Sequence, residues 1–227
     1  SQIGGLMSEP RNKKDRENGL LSGTSQAFLR ELWRREKYGR AEYTKSKYTE
    51  KGILTEDACI SMLTRKTDKL FFKNTERRED EYFTGECDIA PIEWDGEDTI
   101  LDAKSCWSLK TFMEAELTKL YEYQGRGYMR LWNVNRFVLV YFLVNAPEHL
   151  IDAEIRRETW NCQTPEEYKE IEKRVRKNMT FDDIPEKDRV KFFKVERCFK
   201  EERNPFFVYQ RCVEYSKTTC NYNKSWS

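Results

Sequence analysis

The chain has 227 residues, of which 36% are charged and 14% aromatic, and its formal net charge is +1. This composition excludes a disordered chain and fits one domain with a sizeable core. The longest apolar run, at residues 137–144, is too short to cross a bilayer, so we expect no membrane partner and a cytoplasmic location.

The cysteine and histidine content excludes several kinds of chemistry. Seven cysteines without C-x-x-C spacing argue against a zinc module and against a disulfide framework. His149 is the single histidine, which removes the material for a Ser-His-Asp triad or a His-ligated metal. Any catalysis is therefore expected to use carboxylates, Lys or Tyr.

Charge is distributed unevenly along the chain. Residues 1–78 contain eighteen Lys and Arg against eleven Asp and Glu, whereas residues 79–102 contain ten acidic residues and no basic one. This segregation suits a protein that attracts a polyanion at one surface and cations at another. A solvated charged face is, however, the commoner origin of such runs.

Residues 1–24 are predicted to form a flexible arm, because Pro, Asn, Ser and Gly lie among charges. Residues 25–227 are predicted to form a single domain with a C-terminal helical extension. Its first helix is expected over residues 26–38, with Ser25 as N-cap, and carries basic residues around an apolar face. The candidate phosphate contacts in this part of the chain are Arg30, Arg34, Arg35 and Lys47.

The remaining pattern alternates strands with helices. Helices are predicted over residues 52–63 and 109–131, after Pro147, from Thr164-Pro165, and over 205–215. Strands are predicted over residues 82–90, 99–106, 137–144 and 190–195. This order indicates an α/β (α+β) domain with a central mixed β-sheet flanked by helices.

Charged side chains occur on strands that should be buried. Asp102 and Lys104 are two residues apart, so both point to one face of their strand while Leu101 and Ala103 point to the other. Strands covered by helices prefer apolar residues on both faces. The Asp-x-Lys pair therefore needs a functional reason.

Asp88 joins this pair only if the hairpin register is odd. A three-residue turn at Trp94-Asp95-Gly96 would pair Glu93 with Glu97 and set Asp88 opposite Asp102. A compensating bulge would have the same effect. Two carboxylates this close repel each other unless a cation lies between them, and Mg²⁺ or Mn²⁺ prefers such oxygen ligands.

Two further polar residues interrupt apolar helix faces. Glu56 shares the inward side of its helix with Cys59 and Leu63, where an unpaired carboxylate is costly. Gln124 interrupts the apolar stripe of the long helix, four residues before Tyr128, so its amide must find partners inside or at the rim of a cleft.

In this order the motifs resemble the PD-(D/E)XK nucleases, and most of all their RecB-like and bacteriophage lambda exonuclease branch. The resemblance covers residues 25–144. It rests on Gly52 to Glu56, Asp88, Asp102-Ala103-Lys104, and Gln124 to Tyr128. The chain departs from the family in having Cys87 before Asp88 in place of proline, and Asp102 in place of Glu.

The resemblance implies a restriction-endonuclease-like core and metal-dependent hydrolysis of DNA phosphodiester bonds. The implied catalytic residues are Glu56, Asp88, Asp102, Lys104, Gln124 and Tyr128. The implied ligands of one or two Mg²⁺ or Mn²⁺ ions are Glu56, Asp88, Asp102 and the Ala103 carbonyl. Some RecB-like relatives hold an iron-sulfur cluster, but Cys198, Cys212 and Cys220 lack the tight spacing, so no cluster is expected.

The same branch favours an exonuclease on double-stranded DNA ends, in phage-type recombination or repair within a bacterial or phage-infected cell. A single-strand annealing protein and a homo-oligomer are the partners that the resemblance implies. An endonuclease or structure-specific nuclease of the same fold remains an alternative. A DNA-binding subunit without activity is the non-enzyme alternative.

Overall fold

The computed structural model of the chain describes residues 6, 8–40, 46–81 and 83–197. Its helices are α1 (Lys13–Glu17), α2 (Gly23–Tyr38), α3 (Lys47–Thr67), α4 (Leu109–Met113), α5 (Lys119–Trp132), α6 (Glu148–Glu158) and α7 (Pro165–Met179), with a 3₁₀ turn at Glu186–Asp188. Its strands are β1 (Arg78–Glu79), β2 (Thr84–Gly85), β3 (Ile89–Trp94), β4 (Glu97–Ser105), β5 (Arg136–Phe142) and β6 (Val190–Glu196).

The main sheet has four strands in the order β3-β4-β5-β6. β4 and β5 are parallel, because α4 and α5 carry the chain back across the sheet between them, and the other two pairs are antiparallel. β1 and β2 form a separate antiparallel pair. The predicted α/β (α+β) fold, a mixed β-sheet flanked by helices, is confirmed.

The central strand β5 is apolar on both faces because helices cover both. Phe137 and Leu139 belong to the core that α5 covers, whereas Val138 and Val140 belong to the core that α3 covers. A strand buried on both faces reads as a continuous apolar run, as this one does. The functional residues of β4 therefore project into one of two well-defined layers.

Gly125 sets the distance between α5 and the sheet. A Cβ atom built on it would lie 2.1 Å from the Phe137 ring, and that ring is fully buried. We expect Gly125→Ala to lower the free energy of unfolding by about 3 kcal/mol, since overpacking a dense core displaces helix or ring. Urea denaturation measures the change.

Gly52→Ala is the matched control, because Gly52 also lies within a helix but has open space where its Cβ would stand. Its substitution is expected to raise the free energy of unfolding by roughly 0.5–1 kcal/mol through helix propensity alone. Equal effects of the two substitutions would contradict the close approach at Gly125.

The single helix predicted over residues 109–131 is wrong, because the structure breaks it into α4 and α5. Lys191 Nζ donates to the Phe112 carbonyl at 2.7 Å, so a strand residue satisfies the end of α4. The Tyr141 hydroxyl donates to the Glu116 carbonyl at 3.1 Å within the connection. These tertiary hydrogen bonds replace the helical ones that periodicity predicts.

The predicted strand over residues 82–90 is also wrong in extent. Only β2 and the start of β3 fall within its described part, since Tyr82 lies outside the described residues. Between β2 and β3 the backbone carbonyls accept hydrogen bonds from Asn74 instead of from a strand. The side-chain Nδ2 of Asn74 donates to the Cys87 carbonyl at 2.9 Å, and the backbone N–H of Asn74 donates to the Asp88 carbonyl at 2.8 Å. A side chain and a loop thus take the place of a neighbouring strand.

Element ends differ in smaller ways. α2 begins at Gly23 with Ser22, not Ser25, as N-cap, and α1 lies within the segment predicted as a loop. α3 is longer than the predicted 52–63 because Ser46 caps it earlier. Thr164 and Pro165 begin α7 as predicted. The helix predicted over 205–215 lies outside the described residues.

The three-residue turn predicted at residues 94–96, which would pair Glu93 with Glu97, is wrong. Trp94 pairs with Glu97 around a two-residue turn, in which the Asp and Gly have φ values of 52° and 78°. Positive φ at both positions is the geometry that an Asp-Gly hairpin turn favours, because it matches the twist of the strands.

The alternative route, a compensating bulge, is confirmed. Ile92 pairs with Thr99 but Ile89 pairs with Leu101, so β3 contains one residue more than β4 over this stretch. Pro91 lies within the bulge, where its missing N–H removes no ladder hydrogen bond. The extra residue restores the register that the even turn would have lost.

Candidate active site

Asp102 and Lys104 project from β4 into the layer covered by α5. The Asp102 side chain is 1% exposed and its Oδ2 contacts Lys104 Nζ as an ion pair. Leu101 belongs to the opposite core, beneath α3, as strand alternation predicts. The structure thus confirms the side on which the Asp-x-Lys pair was predicted to lie.

Asp88 directly precedes β3, and the bulge brings it alongside β4. Its Oδ2 accepts a hydrogen bond from the Ala103 amide at 2.7 Å and lies 3.8 Å from Lys104 Nζ. Lys104 Nζ also lies 3.4 Å from the Ala103 carbonyl oxygen. One cationic atom is therefore surrounded by oxygens of Asp88, Asp102 and Ala103.

The electrostatics of the cluster follow from its burial. Burial, and then repulsion by Asp102, raise the pKa of Asp88 to about 6, although Lys104 and the Ala103 amide oppose the change. Burial alone would lower the pKa of Lys104, but the two carboxylates outweigh it and hold that pKa above its usual value. Lys104 is therefore charged at every working pH.

Gln124 and Tyr128 come from α5 and cover the carboxylate pair. Gln124 Nε2 donates to the Tyr128 hydroxyl at 2.8 Å and lies 3.5 Å from Asp102 Oδ1. Gln124 Oε1 is buried and accepts no hydrogen bond from the described residues. Burial raises the pKa of Tyr128 to about 12, so its hydroxyl stays protonated. The predicted inward position of Gln124 is confirmed.

Glu56 lies on the inward-facing side of α3 with Cys59 and Leu63, as predicted, and its side chain is 19% exposed. Its Oε2 accepts from Lys73 Nζ at 3.1 Å. Because α3 covers the other face of the sheet from α5, the structure does not bring Glu56 into contact with Asp102. Its role as a metal ligand remains a prediction.

The donors fit a hard divalent cation by chemistry. Asp88 and Asp102 carboxylates and the Ala103 carbonyl supply oxygen ligands, and the Lys104 ammonium already marks a cation position among them. In the described part of the chain, no group of three or more His, Cys, Asp or Glu side chains stands at metal-binding spacing. Glu56 would have to turn from Lys73 to complete a three-carboxylate set.

The predicted DNA contacts lie on two helices. Arg30 and Arg35 are exposed on α2, and Arg34 is half-buried there. Lys47, at the start of α3, pairs with Glu154 at 2.9 Å and lies over the Trp107 ring. Their part in phosphate binding stays a prediction.

The pattern of the sequence did not predict the segment at Lys73 and Asn74, which connects the two halves of the site: Glu56 on α3, and Asp88 beside the β4 residues Asp102 and Lys104. Asn74 is buried and holds the backbone of Cys87 and Asp88, while the adjacent Lys73 reaches Glu56. The Glu76 backbone N–H donates to the side-chain oxygen of Asn74, two residues earlier, and this Asx-turn is a pattern that Asn in a sequence favours. Nothing in that pattern indicates which strand the turn supports.

Comparisons with known proteins identify the fold. No family model and no curated relative matches the chain. A phage-related exonuclease from Haemophilus somnus 129PT has 23% identity and a TM-score of 0.77, over 97% of this chain and 93% of its own. LHK-Exo, an alkaline exonuclease from Laribacter hongkongensis, has 10% identity and a TM-score of 0.63, over 99% of this chain and 89% of its own.

The chain therefore has the restriction-endonuclease-like fold that the PD-(D/E)XK resemblance implies. The phage-related exonuclease and the alkaline exonuclease share this fold with the chain. None of the described helices has the length and apolar character to cross a bilayer. Cys198, Cys212 and Cys220, on which the cluster prediction depends, lie outside the described residues.

Proposed function

We propose that this chain is a divalent-metal-dependent deoxyribonuclease that degrades double-stranded DNA from its ends. The observation that carries the proposal is the contact between Asp102, Lys104 and Asp88 in a buried layer of the sheet. Buried charges rarely stabilise a fold more than apolar residues of the same size. A buried cluster with a displaced carboxyl pKa is the arrangement that active sites retain.

The roles of the residues follow from their positions. Asp88, Asp102 and the Ala103 carbonyl would hold the metal ions, with Glu56 as an additional ligand. A bound divalent ion supplies polarisation of the phosphate and a lower pKa for the attacking water. Lys104 would donate a hydrogen bond to that water or to a phosphate oxygen and stabilise the charge that develops there.

Gln124 and Tyr128 act by positioning. Gln124 fixes the Asp102 carboxylate through its amide, and Tyr128 in turn holds that amide. Such partners orient a ligand without touching the reacting atoms. Arg30, Arg34, Arg35 and Lys47 are the proposed phosphate contacts along the duplex.

The choice of an exonuclease is supported by the shared fold. Both named neighbours are exonucleases. The structure of LHK-Exo in complex with dAMP also matches this chain, with a TM-score of 0.61. A deoxynucleoside monophosphate is the unit that stepwise digestion of DNA would release. A recombination or repair role in a bacterial or phage-infected cytoplasm, an annealing partner and a homo-oligomer follow by analogy.

Two DNA substrates of equal sequence test the proposal: a linear duplex labelled at its ends, and the same duplex as a covalently closed circle. With Mg²⁺ or Mn²⁺ we expect mononucleotide release from the linear duplex and an intact circle. With EDTA we expect both substrates to remain intact. Time-resolved gels of both substrates provide the measurement.

Cutting of the closed circle would exclude a strict exonuclease and favour an endonuclease of the same fold. Digestion that proceeds unchanged in EDTA would refute the metal requirement. Binding of either DNA without cleavage, at any metal concentration, would favour the binding subunit instead.

A further inference from the structure

Lys73 lies at the contact between the two halves of the site. Its Nζ donates to Glu56 Oε2 at 3.1 Å, and its backbone neighbour Asn74 donates to the Asp88 carbonyl at 2.8 Å. Asn74 also donates to the Cys87 carbonyl at 2.9 Å and is itself buried. The base of Lys73 is therefore fixed to the strand end that carries Asp88, while its tip reaches the helix that carries Glu56.

The pair has the properties of a displaceable contact. Lys73 is 46% exposed on its side chain, whereas Glu56 is only 19% exposed. An ion pair with one solvated partner contributes little, because water and salt screen it. The Lys73 side chain can thus leave at small cost, and the less exposed Glu56 carboxylate is then available to another cation.

The described site contains three carboxylates and two ammonium groups. Lys104 pairs with both Asp88 and Asp102 and offsets one of their two negative charges, and Lys73 offsets the charge of Glu56. A divalent cation that recruits all three carboxylates must therefore compete with Lys73 for the third.

We propose that Lys73 occupies the Glu56 carboxylate as an internal cation, which a divalent metal ion must displace before Glu56 can serve as a ligand. The inference rests on the proposed metal-dependent function and deepens it. Lys73 then sets the metal concentration at which the site fills, without contact with the scissile phosphate.

Mn²⁺ binding to the full chain, measured by titration calorimetry in the absence of DNA, tests the proposal. Lys73→Met is expected to bind Mn²⁺ about three- to fivefold more tightly than the wild type, the upper part of the range that an exposed ion pair spans. Met keeps the apolar stem of the side chain and removes its charge. Thermal denaturation confirms that the variant is folded.

Lys69→Met is the matched control. Lys69 lies on the same segment with similar exposure, 39%, but its partner is the exposed carboxylate of Glu93, which lies outside the cluster. Its substitution should leave Mn²⁺ affinity within about twofold of the wild type, since two exposed charges remote from the site are screened. An equal gain in both variants would overturn the specific role of Lys73.

A double-mutant cycle decides whether Lys73 acts through Glu56. In a Glu56→Gln background the gain from Lys73→Met should vanish, because no carboxylate remains to be freed. A gain that persists there, or unchanged or weaker Mn²⁺ binding in Lys73→Met alone, would overturn the proposal. Mn²⁺ binding that is absent from every variant would overturn the proposed metal dependence itself, which separates the two failures.

Discussion

Lys104→Ala is expected to reduce nuclease activity about 10²- to 10³-fold, the scale seen when one donor that stabilises the charge of a transition state is removed. Lys104 Nζ contacts Asp102 and lies 3.8 Å from Asp88, and it is the ammonium group that these two carboxylates share. Removing it leaves the predicted metal ligands in place. The loss should therefore fall on the rate of cleavage at saturating metal and DNA.

The measurement is single-turnover digestion of end-labelled linear duplex with saturating Mg²⁺. Lys110→Ala serves as the control, because Lys110 is an exposed lysine on α4 whose ion-pair partner is the exposed Glu114 and not a residue of the site. Its activity should match the wild type. Wild-type activity in Lys104→Ala would refute the catalytic assignment, provided that thermal denaturation shows both variants to be folded.

Asp88→Asn is expected to stabilise the metal-free protein above pH 6 while abolishing its activity. The pKa of Asp88 is raised to about 6 from its ordinary 3.8, chiefly by burial. A carboxyl with a raised folded-state pKa contributes stability that is fully present below about pH 4 and is lost as the pH rises through about 6. Asn lacks that titration and retains the acceptor for the Ala103 amide.

The gain in the free energy of unfolding should be about 3 kcal/mol at pH 7.5 and under about 1 kcal/mol at pH 4, from the size of the displacement in pKa. Urea denaturation in EDTA at the two pH values measures it. Asp95→Asn is the control, since Lys194 holds the pKa of the exposed Asp95 carboxyl below its usual range. That variant should show no gain that grows with pH.

Metal ions should reverse the ranking of the two proteins. Mg²⁺ or Mn²⁺ that binds the folded wild type raises its apparent stability with the logarithm of the metal concentration above the Kd, and Asp88→Asn loses that increment. A variant that gains no stability in EDTA at pH 7.5 would contradict the raised pKa of Asp88, which burial and then repulsion by Asp102 cause. A variant that remains active would contradict its place among the ligands.

The local pattern of the sequence was sufficient for the elements and for one face of the site. Strand alternation placed Asp102 and Lys104 together on one side of β4, and the structure confirms it. Helical periodicity placed Gln124 inward on α5. These predictions succeed because the direction of a side chain depends on its own element alone.

The hairpin shows where that local logic ends. For Asp88 to lie opposite Asp102, the hairpin needed either a turn with an odd number of residues or a bulge, and the sequence did not distinguish the two. The Asp-Gly turn proved to be the two-residue form, and the bulge beside Pro91 corrected the register. A bulge is selected by the packing of both strands against the rest of the sheet, so its position is not a property of one segment.

What the sequence by itself determined is the alternation of elements, the charged pair on a buried strand, and the family whose motifs they resemble. Only the tertiary structure decided that Asp88 faces Lys104 and that Lys73 pairs with Glu56. It also decided that hydrogen bonds from Lys191 and Tyr141 interrupt the helix predicted over residues 109–131. Each of these contacts joins residues far apart in the chain, and the packing of whole elements selects them, which no single segment encodes.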